Sequence, residues 1–131
     1  TWVPIYNIHK LFAGLRDAYE IADNQQAKQV LIGLGDWFIE LIKPLSTEQI
    51  QQVLNTEHGG INETFADLYI ITKDKKYLDA AERLSHLKIL NPLLEKQDKL
   101  TGLHANTQIP KVISFEKIGE NCFLIELVKS S

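Results

Sequence analysis

Through most of the chain, apolar residues recur at intervals of three and four, the spacing that lines one face of a helix. Residues 5 to about 22 carry Ile8, Leu11, Phe12, Leu15, Tyr19 and Ala22 on such a face. Trp2-Val3-Pro4 before them predicts an extended lead-in, because a proline disfavours helix in the residue preceding it. Asp23-Asn24 ends the first helix and supplies a cap for a second. That second helix, 25 to 43, turns Val30, Leu31, Leu34, Phe38, Leu41 and Ile42 inward and stops before Pro44. Gly33 and Gly35 weaken it by about 1 kcal/mol each relative to alanine, a cost that suits a place where another helix comes close.

Ser46-Thr47-Glu48-Gln49 resembles a capping box and predicts a short third helix to about 54. A turn at 57–60 follows. A fourth helix over 61–72 buries Phe65, Leu68 and Tyr69, and Lys73-Asp74 turns into a fifth, 75 to about 89, broken by Asn91-Pro92. Short helix and loop fill 93–107, and Pro110 suits the first turn of a sixth helix reaching about 120. No strand pattern precedes residue 120. The tail from Cys122 to Val128 fits strand or helix, and its helical context favours helix.

The pattern repeats. Ala18-Tyr19-Glu20-Ile21-Ala22-Asp23-Asn24 before one helix matches Asp67-Leu68-Tyr69-Ile70-Ile71-Thr72-Lys73-Asp74 before another, at an offset of about 50, and Phe115 begins what looks like a third copy. That period exceeds the roughly 34 residues of tetratricopeptide repeats. It predicts an all-α fold in which helical hairpins stand around an axis, an α/α toroid whose loops build a site at one end.

Composition narrows the function classes. At 131 residues the chain makes one modest domain, and 44% hydrophobic with 24% charged residues is ordinary for a soluble globular protein. A net charge of -3 and a pI near 5.8 argue against nucleic-acid and membrane-surface partners. No stretch approaches the roughly 18 apolar residues of a membrane span. The single cysteine allows no internal disulfide and no thiolate zinc cluster from this chain alone. The chain opens on Thr1, holds no methionine and shows no leader segment, so residue 1 is expected not to be a natural start. Localisation stays open.

Candidate chemistry gathers around Thr56-Glu57-His58-Gly59-Gly60-Ile61-Asn62-Glu63, two carboxylates, an imidazole and an amide about a Gly-Gly turn. Tyr6-Asn7-Ile8-His9-Lys10 and Leu103-His104-Ala105-Asn106-Thr107-Gln108 each add a histidine in polar company. His9 alone reads first as a helical histidine making one hydrogen bond at a packed helix end, and His86, on the expected fifth helix, reads as structural. His58 and His104 sit where donors and acceptors suit hydroxyl recognition. No histidine pair has the spacing of a helical zinc site. Glu57 and Glu63 are candidates for the paired carboxylates of a glycosidase. The preferred reading is that Glu57 binds substrate or caps the turn while Glu63 favours a helix dipole. Cys122, with no base or cation beside it in sequence, reads as an inert thiol.

Taken together, Trp2-Val3-Pro4-Ile5-Tyr6-Asn7-Ile8-His9-Lys10, Glu57-His58-Gly59-Gly60-Ile61-Asn62-Glu63 and Gly102-Leu103-His104-Ala105-Asn106-Thr107-Gln108-Ile109-Pro110-Lys111 resemble successive motifs of one family. It is the β-L-arabinofuranosidase-like glycoside hydrolases of families 127 and 146, formerly a domain of unknown function numbered 1680. The resemblance covers about residues 1–120 and implies an (α/α)6 barrel, of which this chain would be roughly the middle third, with 121–131 a divergent tail. It implies that His9, His58 and His104 contact the hydroxyls of an arabinofuranose, with Glu57, Asn62, Asn106 and Gln108 in the same motifs. Relatives use a cysteine nucleophile beside a zinc held by further cysteines and a glutamate, all well beyond the His104 motif. Only 27 residues follow His104 here, so Glu120-Asn121-Cys122 is taken as coincidence.

The expectation is therefore a truncated glycosidase-like domain that keeps its sugar-contacting histidines, lacks the catalytic cysteine and glutamate set, needs no cofactor of its own, and is inactive alone. Uncovered helix faces would pair as a homo-oligomer. Two other readings are a helical-repeat interaction module without enzymatic activity and a sugar epimerase of similar architecture, whose histidines would transfer protons.

Overall fold

The structure, a computed structural model, describes residues 4–56 and 58–129, the last nine of these as backbone only. They form α1 (Pro4–Glu20), α2 (Gln25–Ile42), α3 (Thr47–Leu54), α4 (Ile61–Thr72), α5 (Lys75–Arg83), α6 (Leu87–Leu94) and α7 (Ala105–Lys129), with no strand among them. Trp2 and Val3, the expected lead-in, lie outside the described residues, and Pro4 already begins α1.

Helix α4 is the hub. Ile61, Phe65, Ala66 and Leu68 are buried, and so are the polar Asn62, Thr64 and Asp67. A helix covered on nearly every side belongs at the centre of a bundle, and α4 meets α1, α2, α5 and α7. Three rings join α1, α2 and α4, with Phe12, Phe38 and Phe65 at centroid separations of 5.4 to 6.4 Å. Aromatic pairs at such spacing add attraction beyond the area they bury.

The repeat is structural. In both hairpins, α1–α2 and α4–α5, the turn passes through one left-handed residue, Asp23 (φ 50°) or Lys73 (φ 62°). The residue after it caps the next helix. The Asn24 side chain accepts from the Ala27 amide, and that of Asp74 accepts from the Lys76 amide. The expected capping box also forms, with Ser46 and Gln49 bonding reciprocally at the start of α3. Gly35 shows the close approach expected of the α2 glycines, since a Cβ there would stand 2.6 Å from Leu68 Cδ1. Gly33 has open space around it.

Four expectations need correction. Leu11 on α1 and Val30 and Leu41 on α2 are about half exposed, whereas α2 is buried along Ala27, Leu31, Gly35, Phe38 and Ile42, with Ile32, Leu34 and Ile39 packed partly against the core. The expected fifth helix is two helices, α5 and α6, parted at residues 84–86. The break is satisfied from outside: the Gln51 amide donates to the Ser85 carbonyl and its oxygen accepts from the Leu87 amide, both at 2.9 Å. Pro92 lies inside α6 instead of ending a helix. The last helix starts at Ala105, because the His104 carbonyl already accepts from the Thr107 and Gln108 amides, and Pro110 falls within it. That helix continues through 122–128, as the helical reading of the tail expected. Among the described residues no helix is long and apolar enough to cross a membrane.

Candidate functional site

The turn between α3 and α4 brings α1 into the site. Gly59 adopts φ 62°, the left-handed region open to glycine, and a Cβ there would stand 2.4 Å from His9 Nδ1. Both constraints require glycine. The bare backbone lets His9, 51 residues upstream, reach the turn, where the Gly60 amide donates to its Nδ1 at 3.3 Å. With Nδ1 accepting, the neutral ring carries its proton on Nε2.

Beside the turn, His58 is fully buried, its ring edge-on to that of His86 with centroids 5.8 Å apart. His86 stands before the first residue of α6, where the break after α5 turns its ring inward. Buried Lys111 of α7 donates to His86 Nδ1 at 3.1 Å, and a lysine has only protons to offer, so His86 Nε2 donates to Asn55 Oδ1 at 3.2 Å. Lys111 also donates to Gln108 Oε1. His86 thus has both nitrogens engaged. His58 does not: among the described residues neither of its ring nitrogens has a side-chain hydrogen-bond partner, and both amide atoms of fully buried Asn62 likewise have none.

These imidazoles are held neutral. Burial, then the charge of Lys111, lowers the pKa of His58 to about 3, and protonating His86 beside it would lower it further. Burial, then Lys10 and Arg16, lowers that of His9 to about 4, and burial with Lys111 and Lys88 lowers that of His86 to about 4. At neutral pH they are hydrogen-bonding groups and poor proton carriers, since a useful acid or base titrates near the working pH.

Below the turn, a charge network ties three helices. Asp67 accepts from Arg16 at 2.7 Å and from Lys117, while Glu63 Oε1 lies 3.9 Å from Arg16 and 3.5 Å from Lys117. Glu63 therefore sits in the first turn of α4 within reach of two cations.

Of the sequence-derived candidates, the structure gathers His9, His58 and Asn62 around Gly59-Gly60 and links Gln108 to them through Lys111 and His86. His104 and Asn106 are exposed at the start of α7, with no described contact to the histidines. Glu57 and the Cys122 side chain lie outside the described residues. Sequence reasoning missed Lys111, Asn55 and the inward turn of His86. A lone lysine in the apolar run Ile109-Pro110-Lys111-Val112-Ile113 was the available signal for the first.

The described residues do not fit the zinc that the resemblance implies. Glu63 and Asp67 face Arg16 and Lys117, the histidines lie against the Lys111 cation, and no group of three His, Cys, Asp or Glu among the described residues is placed to hold a metal. A family model described as β-L-arabinofuranosidase, GH127 catalytic domain, matches residues 1–122. No curated protein matches the chain.

Proposed function

This chain belongs to the GH127 β-L-arabinofuranosidase catalytic-domain family, and we propose that within a glycoside hydrolase-like domain it binds the hydroxyls of an arabinofuranoside-like sugar. His9, His58 and His104 would make the principal contacts, with Glu57, Asn62, Asn106 and Gln108 around them. The observation that carries this reading is the pair His58 and Asn62, four buried polar atoms with no hydrogen-bond partner among the described residues. Leaving such an atom unsatisfied costs about 1–3 kcal/mol, which a hydroxyl or an enclosed water would recover. Both residues are closed to solvent, so a ligand hydroxyl reaches them by displacing that water or the turn. The neutral imidazoles favour hydroxyl binding over the proton transfer an epimerase would need.

Hydrolysis needs a nucleophile and an acid brought together. No described residue pairs a nucleophile with an acid, and in the resembling family the cysteine nucleophile and its zinc belong to a later stretch. The chain alone is proposed to bind without cleaving. Isothermal calorimetry with methyl β-L-arabinofuranoside should show saturable binding, and an aryl β-L-arabinofuranoside should stay intact. Cleavage lost on Glu63→Gln would overturn the second half of the reading.

A second reading, self-association, draws on the apolar surface. Val30, Trp37 and Leu41 stand about half exposed along α2. An apolar hollow of about 490 Å³ lies between Leu93, Leu100 and Leu103 on one side and Ile109, Val112 and Ile113 on the other. Pairing of copies through such faces is compatible with sugar binding.

A further inference from the structure

Gly60 differs from Gly59. Its φ of -110° is open to any residue, and a Cβ there would meet its neighbours at ordinary contact distance. Neither strain nor collision requires glycine at 60. The three atoms nearest the missing Cβ are all polar: His9 Nε2 and Glu63 Oε2 lie 3.4 Å from its position and Ser114 Oγ 3.5 Å. These three atoms come from three helices, α1, α4 and α7, and converge over one bare α-carbon.

Their hydrogen-bonding roles are fixed independently. His9 accepts at Nδ1 from the Gly60 amide, which leaves Nε2–H as a donor. Ser114 spends its proton on the Pro110 carbonyl, which leaves its oxygen an acceptor. Glu63 turns Oε1 toward Arg16 and Lys117 and presents Oε2 as an acceptor. One donor and two acceptors match a water molecule, which accepts once and donates twice. They also match a sugar hydroxyl, which accepts from His9 and donates to Glu63 or Ser114. An ammonium would meet the His9 N–H, and an anion would meet Glu63.

We propose that Gly60 keeps open a one-oxygen site, bounded by His9 Nε2, Glu63 Oε2 and Ser114 Oγ, which holds a water in the free protein and a ligand hydroxyl in the complex. Only the second occupant rests on the hydroxyl-binding reading. The site assigns roles to Gly60 and Ser114 and gives Glu63 the role of a neutral-hydroxyl acceptor. Burial supports it, because Ser114 is fully enclosed and His9 keeps 8% of its surface, so an oxygen here is partly shielded from bulk water.

The test is a pair of high-resolution crystal structures of the whole chain, without sugar and with methyl β-L-arabinofuranoside, repeated for Gly60→Ala. In the sugar-free wild type an ordered oxygen should bond His9 Nε2, Glu63 Oε2 and Ser114 Oγ. The alanine methyl should expel it, and affinity for the arabinoside should fall roughly tenfold, as expected for losing a hydrogen bond to a charged group. Ser114→Ala should lower affinity by a smaller factor, and it carries the test should Gly60→Ala fail to fold. An oxygen present in a wild type that binds no arabinoside supports the site and removes the hydroxyl-binding reading. A bound arabinoside with no oxygen over Gly60 in either crystal overturns the site and leaves that reading standing. Unchanged affinity in both variants also overturns it.

Discussion

Three histidines with depressed pKa values give the molecule a defined response to acid. An unfolded histidine titrates near 6.5, whereas His58 folds at about 3 and His9 and His86 at about 4. Between those values the unfolded chain takes up protons that the folded chain refuses. Stability is therefore full above pH 6.5 and falls as pH drops toward 4, by about 1 kcal/mol per histidine between pH 6.5 and 5.5. Urea midpoints over that range should drop steeply, and more shallowly in His86→Gln. A flat profile would mean the rings are accessible to protons. That polar side chains gather at the His58 turn was legible, because Gly-Gly beside a histidine marks a place where the backbone can be closely approached, whereas the arrival of His9 there was not. The buried Lys111 that helps hold two of the rings neutral left only a lone charge in an apolar run, which does not say which rings a distant helix brings beside it.

At the scale of the helices, periodicity located most elements, Asn24 and Ser46 cap as their sequence context implies, and Asp74, expected only as part of a turn, caps α5. Periodicity failed at residues 84–86, where the break in the α5–α6 helix is stabilised by the Gln51 amide standing in for lost helical bonds. A side chain from another helix can end a helix that its own sequence would continue. It also overstated how much of α2 is covered, because an apolar stripe records a face and not its occupant. The two α2 glycines separate these effects. Gly33→Ala, with open space around it, should stabilise the fold by about 0.5–1 kcal/mol. Gly35→Ala should destabilise it by about 1–3 kcal/mol, because its methyl enters the Leu68 side chain. Thermal unfolding of the two variants checks both signs.

As a whole, the molecule is two matched hairpins and a long helix around α4, joined on one side by the aromatic trio and on another by the Asp67 network. The family was legible from three short motifs, whereas the joining of the first two into one cluster needed the fold. The exposed Val30, Trp37 and Leu41 face predicts self-association: sedimentation should show a dimer or larger species, shifted toward monomer by Trp37→Lys, and a wild-type monomer at all concentrations would count against it.

The central claim, that the turn at His58 binds sugar hydroxyls, is tested most directly by an amide NMR titration with an arabinofuranoside on the wild type and on His58→Ala. Saturable shifts at His9, Gly59, Gly60 and Asn62, absent in the variant, are the predicted result. A well-folded wild type whose amides at the turn do not move at millimolar sugar would contradict it.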